Sequence, residues 1–221
     1  MTEPPPGTTA AARQPLPESV VGWMRAGTID GPLAACLWLL AEGGVPVLVA
    51  AQDPVAGGRL ADALDAFGRP PALLAVFPSS IEADSLEAVL TRLAAPPYDL
   101  TDDAIRSAGV VVVLHQVPEV GLRVAVAHYV RPLEQDPQGH VQRRPPALLA
   151  AWDAEGDRFD DYAWGITAEL AGRAGRDPAA FERARAERAS LLEKLAAAGT
   201  LGRAAVAQAI LAIARERERT H

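Results

Sequence analysis

The chain has 221 residues, 49% of them hydrophobic and 22% charged, enough to bury one sizeable core without disulfides or metals. Its formal net charge of -7 excludes the broad basic surface that nucleic-acid binding requires. No apolar run reaches the roughly 18 to 20 residues of a bilayer span, so no membrane span is expected.

Residues 1 to 17 are rich in Pro, Thr and Ala and are expected to form a disordered tail. Met1 to Pro6 lacks the basic start and apolar centre of a secretory signal, so a cytoplasmic location is expected. Asp30 and Pro32 suit a helix start, and the helix that follows should run to Glu42 and stop at Gly43-Gly44. Cys36, the only cysteine, lies in the apolar run Leu33 to Leu40, which predicts a buried, inert thiol. Val45 to Ala50 is a continuous apolar run, as in a strand covered on both faces.

Leu60, Ala63, Leu64 and Phe67 share one helical face, and Arg69-Pro70-Pro71 should end that helix. Leu73 to Phe77 reads as a second buried strand, Ala83 to Leu93 as an amphipathic helix, and Val110 to Leu114 as the clearest strand. Beyond it, Leu122 to Arg131 and Val141 to Trp152, joined by a turn at Asp136 to Gly139, read as an antiparallel hairpin, with Pro145-Pro146 marking an edge or a break. Asp177-Pro178 and Gly199 predict two C-terminal helices, at 178–197 and 202–217. The alternation of strands and helices predicts an α/β fold, mainly parallel, with an antiparallel edge hairpin and a C-terminal helical extension. The expected divisions are a tail at 1–17, an α/β domain at 18–165 and the helical extension at 166–221.

Val47 to Leu60 has the layout of a phosphate-binding loop: a buried strand, a glycine-containing turn, then an amphipathic helix. Taken alone, an isolated Gly-Gly reads first as a βα turn whose glycines ease packing, and only the wider sequence around it favours a phosphate loop. With the lead-in from Gly27-Thr28-Ile29-Asp30 through Leu37-Trp38-Leu39-Leu40, it resembles the ATPase domain of type II and type IV secretion and pilus ATPases, where this strand enters G-x-x-G-x-G-K-[ST]. Ser79-Ser80-Ile81-Glu82-Ala83-Asp84-Ser85 is similar to that family's T-x-H-A-[ND]-S box, with Glu82 at the histidine position. Residues taken alone, Ser85 or Asp84 simply caps the following helix. The resemblance covers residues 27 to 115 in fragments and implies a P-loop type of fold.

The residues that would hold phosphate depart from the family pattern. Without a gap, Ala51 and Ala56 stand at the two defining glycines, with Gly57 and Gly58 at the lysine and the magnesium-binding hydroxyl. Shifted by two, the positions fall to Asp53, Gly58, Arg59 and Leu60. The only lysine, Lys194, lies far downstream, and the short stretch Gly68 to Pro78 replaces the long segment that carries the family's acidic motifs. Hydrolysis needs phosphate charge neutralised and Mg²⁺ held, so neither it nor a bound cofactor is expected.

The resemblance therefore implies a non-catalytic accessory or regulatory protein that acts through contact with a protein partner or within a homo-oligomer. The alternative is a nucleotide-binding switch or weak NTPase, with Gly57, Gly58 and Arg59 holding ATP or GTP phosphates. A third reading is an unrelated α/β binding domain. Other constellations are weaker. His115, His128, His140 and Asp136 lack metal-ligand spacing. The acidic run Asp153 to Asp161 lacks the closing glutamate of a calcium loop. Gln142 to Pro146 with Arg131 suits an anionic partner or a charged edge strand equally.

Overall fold

The computed structural model describes residues 15–68, 77–135, 138 and 140–218. In chain order these form α1 (Val20–Arg25), α2 (Gly31–Glu42), β1 (Val47–Ala51), α3 (Pro54–Leu64), β2 (Ser80–Glu82), α4 (Leu86–Ala94) and α5 (Asp102–Arg106). There follow β3 (Val110–Val117), β4 (Gly121–Tyr129), β5 (Glu134–Gln135), β6 (Val141–Gln142), β7 (Ala147–Asp153), β8 (Arg158–Asp161), α6 (Thr167–Arg173), α7 (Pro178–Ala197) and α8 (Arg203–Glu218).

The fold is α/β. Six strands form a mixed sheet in the order β2-β1-β3-β4-β7-β8, and β5 and β6 form a separate two-stranded ribbon. The pairings β2–β1 and β1–β3 are parallel, whereas β3–β4, β4–β7 and β7–β8 are antiparallel. The expected pairing of the 122–131 and 141–152 segments holds for β4 and β7. The antiparallel part is nonetheless larger than an edge hairpin, because β4 also folds back on β3 through the turn before Gly121.

Burial explains why β1 and β3 read as unbroken apolar runs. Val49 and Ala51 of β1, with Val110, Val112 and Leu114 of β3, face a core shared with α1, α2, α3 and α7. The alternate residues Leu48, Ala50, Val111 and Val113 face a second core with Val89 and Leu93 of α4 and Ile105 of α5. Period-two alternation thus sends apolar side chains to two covered faces.

Helix boundaries follow from their caps. Asp30 accepts the Leu33 amide at 2.9 Å and starts α2, Ser85 accepts the Ala88 amide and starts α4, and Asp177 accepts the Ala180 amide and starts α7. Helix α4 begins at Leu86 rather than Ala83, since residues up to Glu82 pair as β2. Pro145-Pro146 lies between β6 and β7, where two residues without amide donors interrupt any ladder. The strand expected at Leu73 to Phe77 lies outside the described residues except for Phe77, which is buried. The turn at Asp136 to Gly139 is described only at Gln138. Of the tail expected at 1–17, residues 1–14 also lie outside.

Helices α7 and α8 appear at the expected places, and α7 packs on α2 and α1. Phe181 and Leu192 of α7 are buried in the same core as Trp38. The Arg188 side chain has no exposed surface, its guanidinium lies 5.0 Å over the Trp38 ring, and it donates to both Glu42 oxygens at 2.8 and 2.6 Å. Trp38 in turn stacks on Phe67, with centroids 5.3 Å apart.

Candidate functional site at the carboxyl edge of the parallel strands

The connection from β1 to β2 runs through α3 on one face, and that from β2 to β3 runs through α4 and α5 on the other. Strands β2 and β3 therefore flank β1 after leaving in opposite directions. Open α/β sheets present ligand sites at such a switch point, beyond the carboxyl ends of the strands. The residues there are Gln52 and Asp53 after β1, Ala83 to Ser85 after β2, and His115 on β3.

The turn after β1 is short. Strand β1 ends at Ala51 and α3 starts at Pro54, leaving only Gln52 and Asp53 between them. Asp53 Oδ1 accepts the Val55 amide at 2.9 Å and the Ala56 amide at 3.4 Å, and the Asp53 carbonyl accepts the Gly57 amide at 2.9 Å. Pro54 has no amide hydrogen. Every amide hydrogen of the first four residues of α3 is thus directed to Asp53. An anion at a helix N-terminus depends on those same groups.

Gly57, Gly58 and Arg59, the expected phosphate-holding residues, all lie within α3. Gly57 is buried, and a Cβ there would stand 3.0 Å from Ala51 Cβ. At Gly58 the nearest atom to such a Cβ would be Ser80 Oγ, at 3.9 Å. The missing Cβ of Gly57 lets α3 lie close to β1, whereas Gly58 has room for one. Arg59 is exposed.

The structure does bring the two fragments of the family resemblance together. Ala51 is in register with Glu82, and the Ala83 amide donates to the Ala51 carbonyl. Asp84 links three neighbours: its carboxylate accepts from Gln52 Nε2 at 3.4 Å and from Ser85 Oγ at 3.2 Å, and its carbonyl lies 2.8 Å from His115 Nε2. A carbonyl only accepts, so Nε2 carries the proton. Asp53, Glu82 and Asp84 make this edge acidic, which opposes phosphate binding.

His128 is half-buried on β4, where burial lowers its basicity, and His140 is exposed. Among the described residues, no three His, Cys, Asp or Glu side chains group in a way that would hold a metal. No described helix is long and apolar enough to cross a membrane. The contacts of Asp84 with Gln52 and His115 escape sequence reading, because the partners are 32 and 31 residues away. Arg123 escapes it too, although a lone arginine in the apolar stretch Leu122 to Val126 signals a buried cation that needs a carboxylate partner. That partner is Asp157, which Arg123 meets at 3.0 and 3.3 Å.

No protein-family model matches this chain, and no curated protein matches it.

Proposed function

We propose that this chain is a non-catalytic accessory or regulatory protein of secretion- or pilus-ATPase type, with a degenerate P-loop fold, acting through contact with a protein partner or within a homo-oligomer. The observation that carries the reading is the Asp53 carboxylate at the start of α3. It takes the amide groups that an ATP phosphate would need, and it places negative charge where the phosphates would sit. Two further features support it: the two glycines are inside the helix, and the chain's one lysine, Lys194, belongs to α7.

The test is isothermal titration of the purified protein with ATP and ADP, with and without Mg²⁺, alongside a phosphate-release assay. No binding heat at millimolar nucleotide and no release above background are expected. Magnesium-dependent turnover that disappears in Arg59→Ala would overturn the reading and establish the modified loop as a nucleotide site.

A further inference from the structure

A crevice of about 420 Å³ opens between the loop joining α1 to α2 and the turn joining β7 to β8. Met24, Ile29 and Phe159 supply its apolar walls, and Gly27, Asp30, Gly31, Asp157 and Arg158 complete it. We propose that this crevice binds one alkylammonium or alkylguanidinium group, its cationic head on Asp30 and its stem along Met24, Ile29 and Phe159.

The backbone of the crevice is closely supported. Gly27 has φ +72, and a Cβ there would stand 3.1 Å from the Arg123 guanidinium carbon beneath it. A Cβ on Gly31 would meet the Glu193 side chain at 2.8 Å. The loop therefore lies directly on its supports, and the Val124 amide ties it to β4 through the Thr28 carbonyl at 2.8 Å.

The charges around it are not equally engaged. Asp157 is held by Arg123 on both oxygens and by Trp152 Nε1 at 2.9 Å. Arg158 pairs with Asp153 and Asp160, and the nearby Arg185 donates to Asp161 at 2.8 Å. Asp30 accepts the Leu33 amide through Oδ1 and makes no ion pair among the described residues. Burial pushes its carboxyl above the usual carboxylate range, against the smaller opposing effects of that amide and of the nearby Arg185 guanidinium, which is itself bound to Asp161. A carboxylate kept partly dry with one hydrogen bond gains from a cation that can reach it. An anionic ligand would find both arginines already paired. A neutral apolar ligand would desolvate Asp30 further without a partner. An amine or guanidine on a hydrocarbon stem satisfies the walls and the carboxylate together.

Such a group comes either from a small free amine or guanidine, or from a lysine or arginine side chain on a protein. The experiment titrates N-acetyl-arginine-N-methylamide, agmatine and an arginine-containing octapeptide into ¹⁵N-labelled protein and follows amide shifts. The expected result is saturable shifts at Gly27, Ile29, Gly31 and Phe159, with affinity falling roughly tenfold or more in Asp30→Asn. Asparagine also caps helices, so this variant keeps α2, which an unchanged thermal midpoint verifies. Phe159→Ala weakens binding at constant charge. Tighter binding of the peptide than of agmatine assigns the site to a protein partner, and the reverse order assigns it to a small metabolite. Absence of shifts with all three probes, or equal affinity in Asp30→Asn, would overturn the proposal. The crevice shares no residue with the turn at Asp53, so its titration and the nucleotide titration succeed or fail separately.

Discussion

Cys36 illustrates how a side chain's surroundings set its chemistry. It sits in the middle of α2 among Ala34, Leu37 and Leu40, all buried, and this burial pushes its thiol up to about 12 from an ordinary 9.0. The folded state thus keeps the proton where the unfolded chain releases it. Between those two values the native protein binds more protons, so stability falls as pH rises through that window. Urea titrations at stepped alkaline pH should show this fall, and Cys36→Ala should flatten it. In the native protein at neutral pH, a thiol reagent such as Ellman's should leave Cys36 unreacted until denaturant is added. The inert thiol was legible from the apolar run alone. The role of Asp84 was not, because its partners come from other strands.

At the scale of elements, α3 shows a local pattern put to a different use from the one it suggests. A strand, two glycines and an amphipathic helix are all present, as in a phosphate loop. Yet the turn holds two residues, and Asp53 with Pro54 starts the helix before either glycine is reached. Glycine inside a helix costs conformational entropy unless its missing Cβ permits close packing. Gly57→Ala would press a methyl against Ala51 at 3.0 Å, whereas Gly58→Ala meets nothing nearer than 3.9 Å. Gly58→Ala should therefore stabilise the protein by about 0.5–1 kcal/mol, while Gly57→Ala should be neutral or destabilising. Urea midpoints of the two variants check this. Equal stabilisation by both would mean that Gly57 does not mediate the contact of α3 with β1.

At the scale of the whole molecule, the contact between α2 and α7 joins parts of the chain far apart in sequence. Its centre is the fully buried Arg188, stacked on Trp38 and bonded to Glu42, with Arg176 also 3.5 Å from Glu42. Arg188 is fully buried while Glu42 reaches solvent, and removing the carboxylate is costly because the arginine charge left behind has been taken out of water. Glu42→Ala should lower stability by about 3 kcal/mol, seen as a shift of one cooperative denaturation transition. A separate early transition for the C-terminal helices, with the main one unmoved, would show that residues 166–221 fold as a unit of their own.

The extent of α2 and of α7, and the place of the central strands β1 and β3, were determined by the sequence itself, although β1 starts at Val47 rather than Val45 and β3 continues past Leu114 to Val117. Capping residues, proline positions and unbroken apolar runs act within a few residues of one another, so local chemistry settles them. Tertiary structure alone decided the rest: that β4 pairs with β3 as well as β7, that Asp84 meets Gln52 and His115, and that Asp30 faces a crevice completed by the turn at Asp157. Those outcomes depend on which distant segments meet and on which backbone groups remain unsatisfied when they do. A carboxylate can cap a helix, accept a ligand's cation or pair with a buried arginine, and only its neighbours in space select among these.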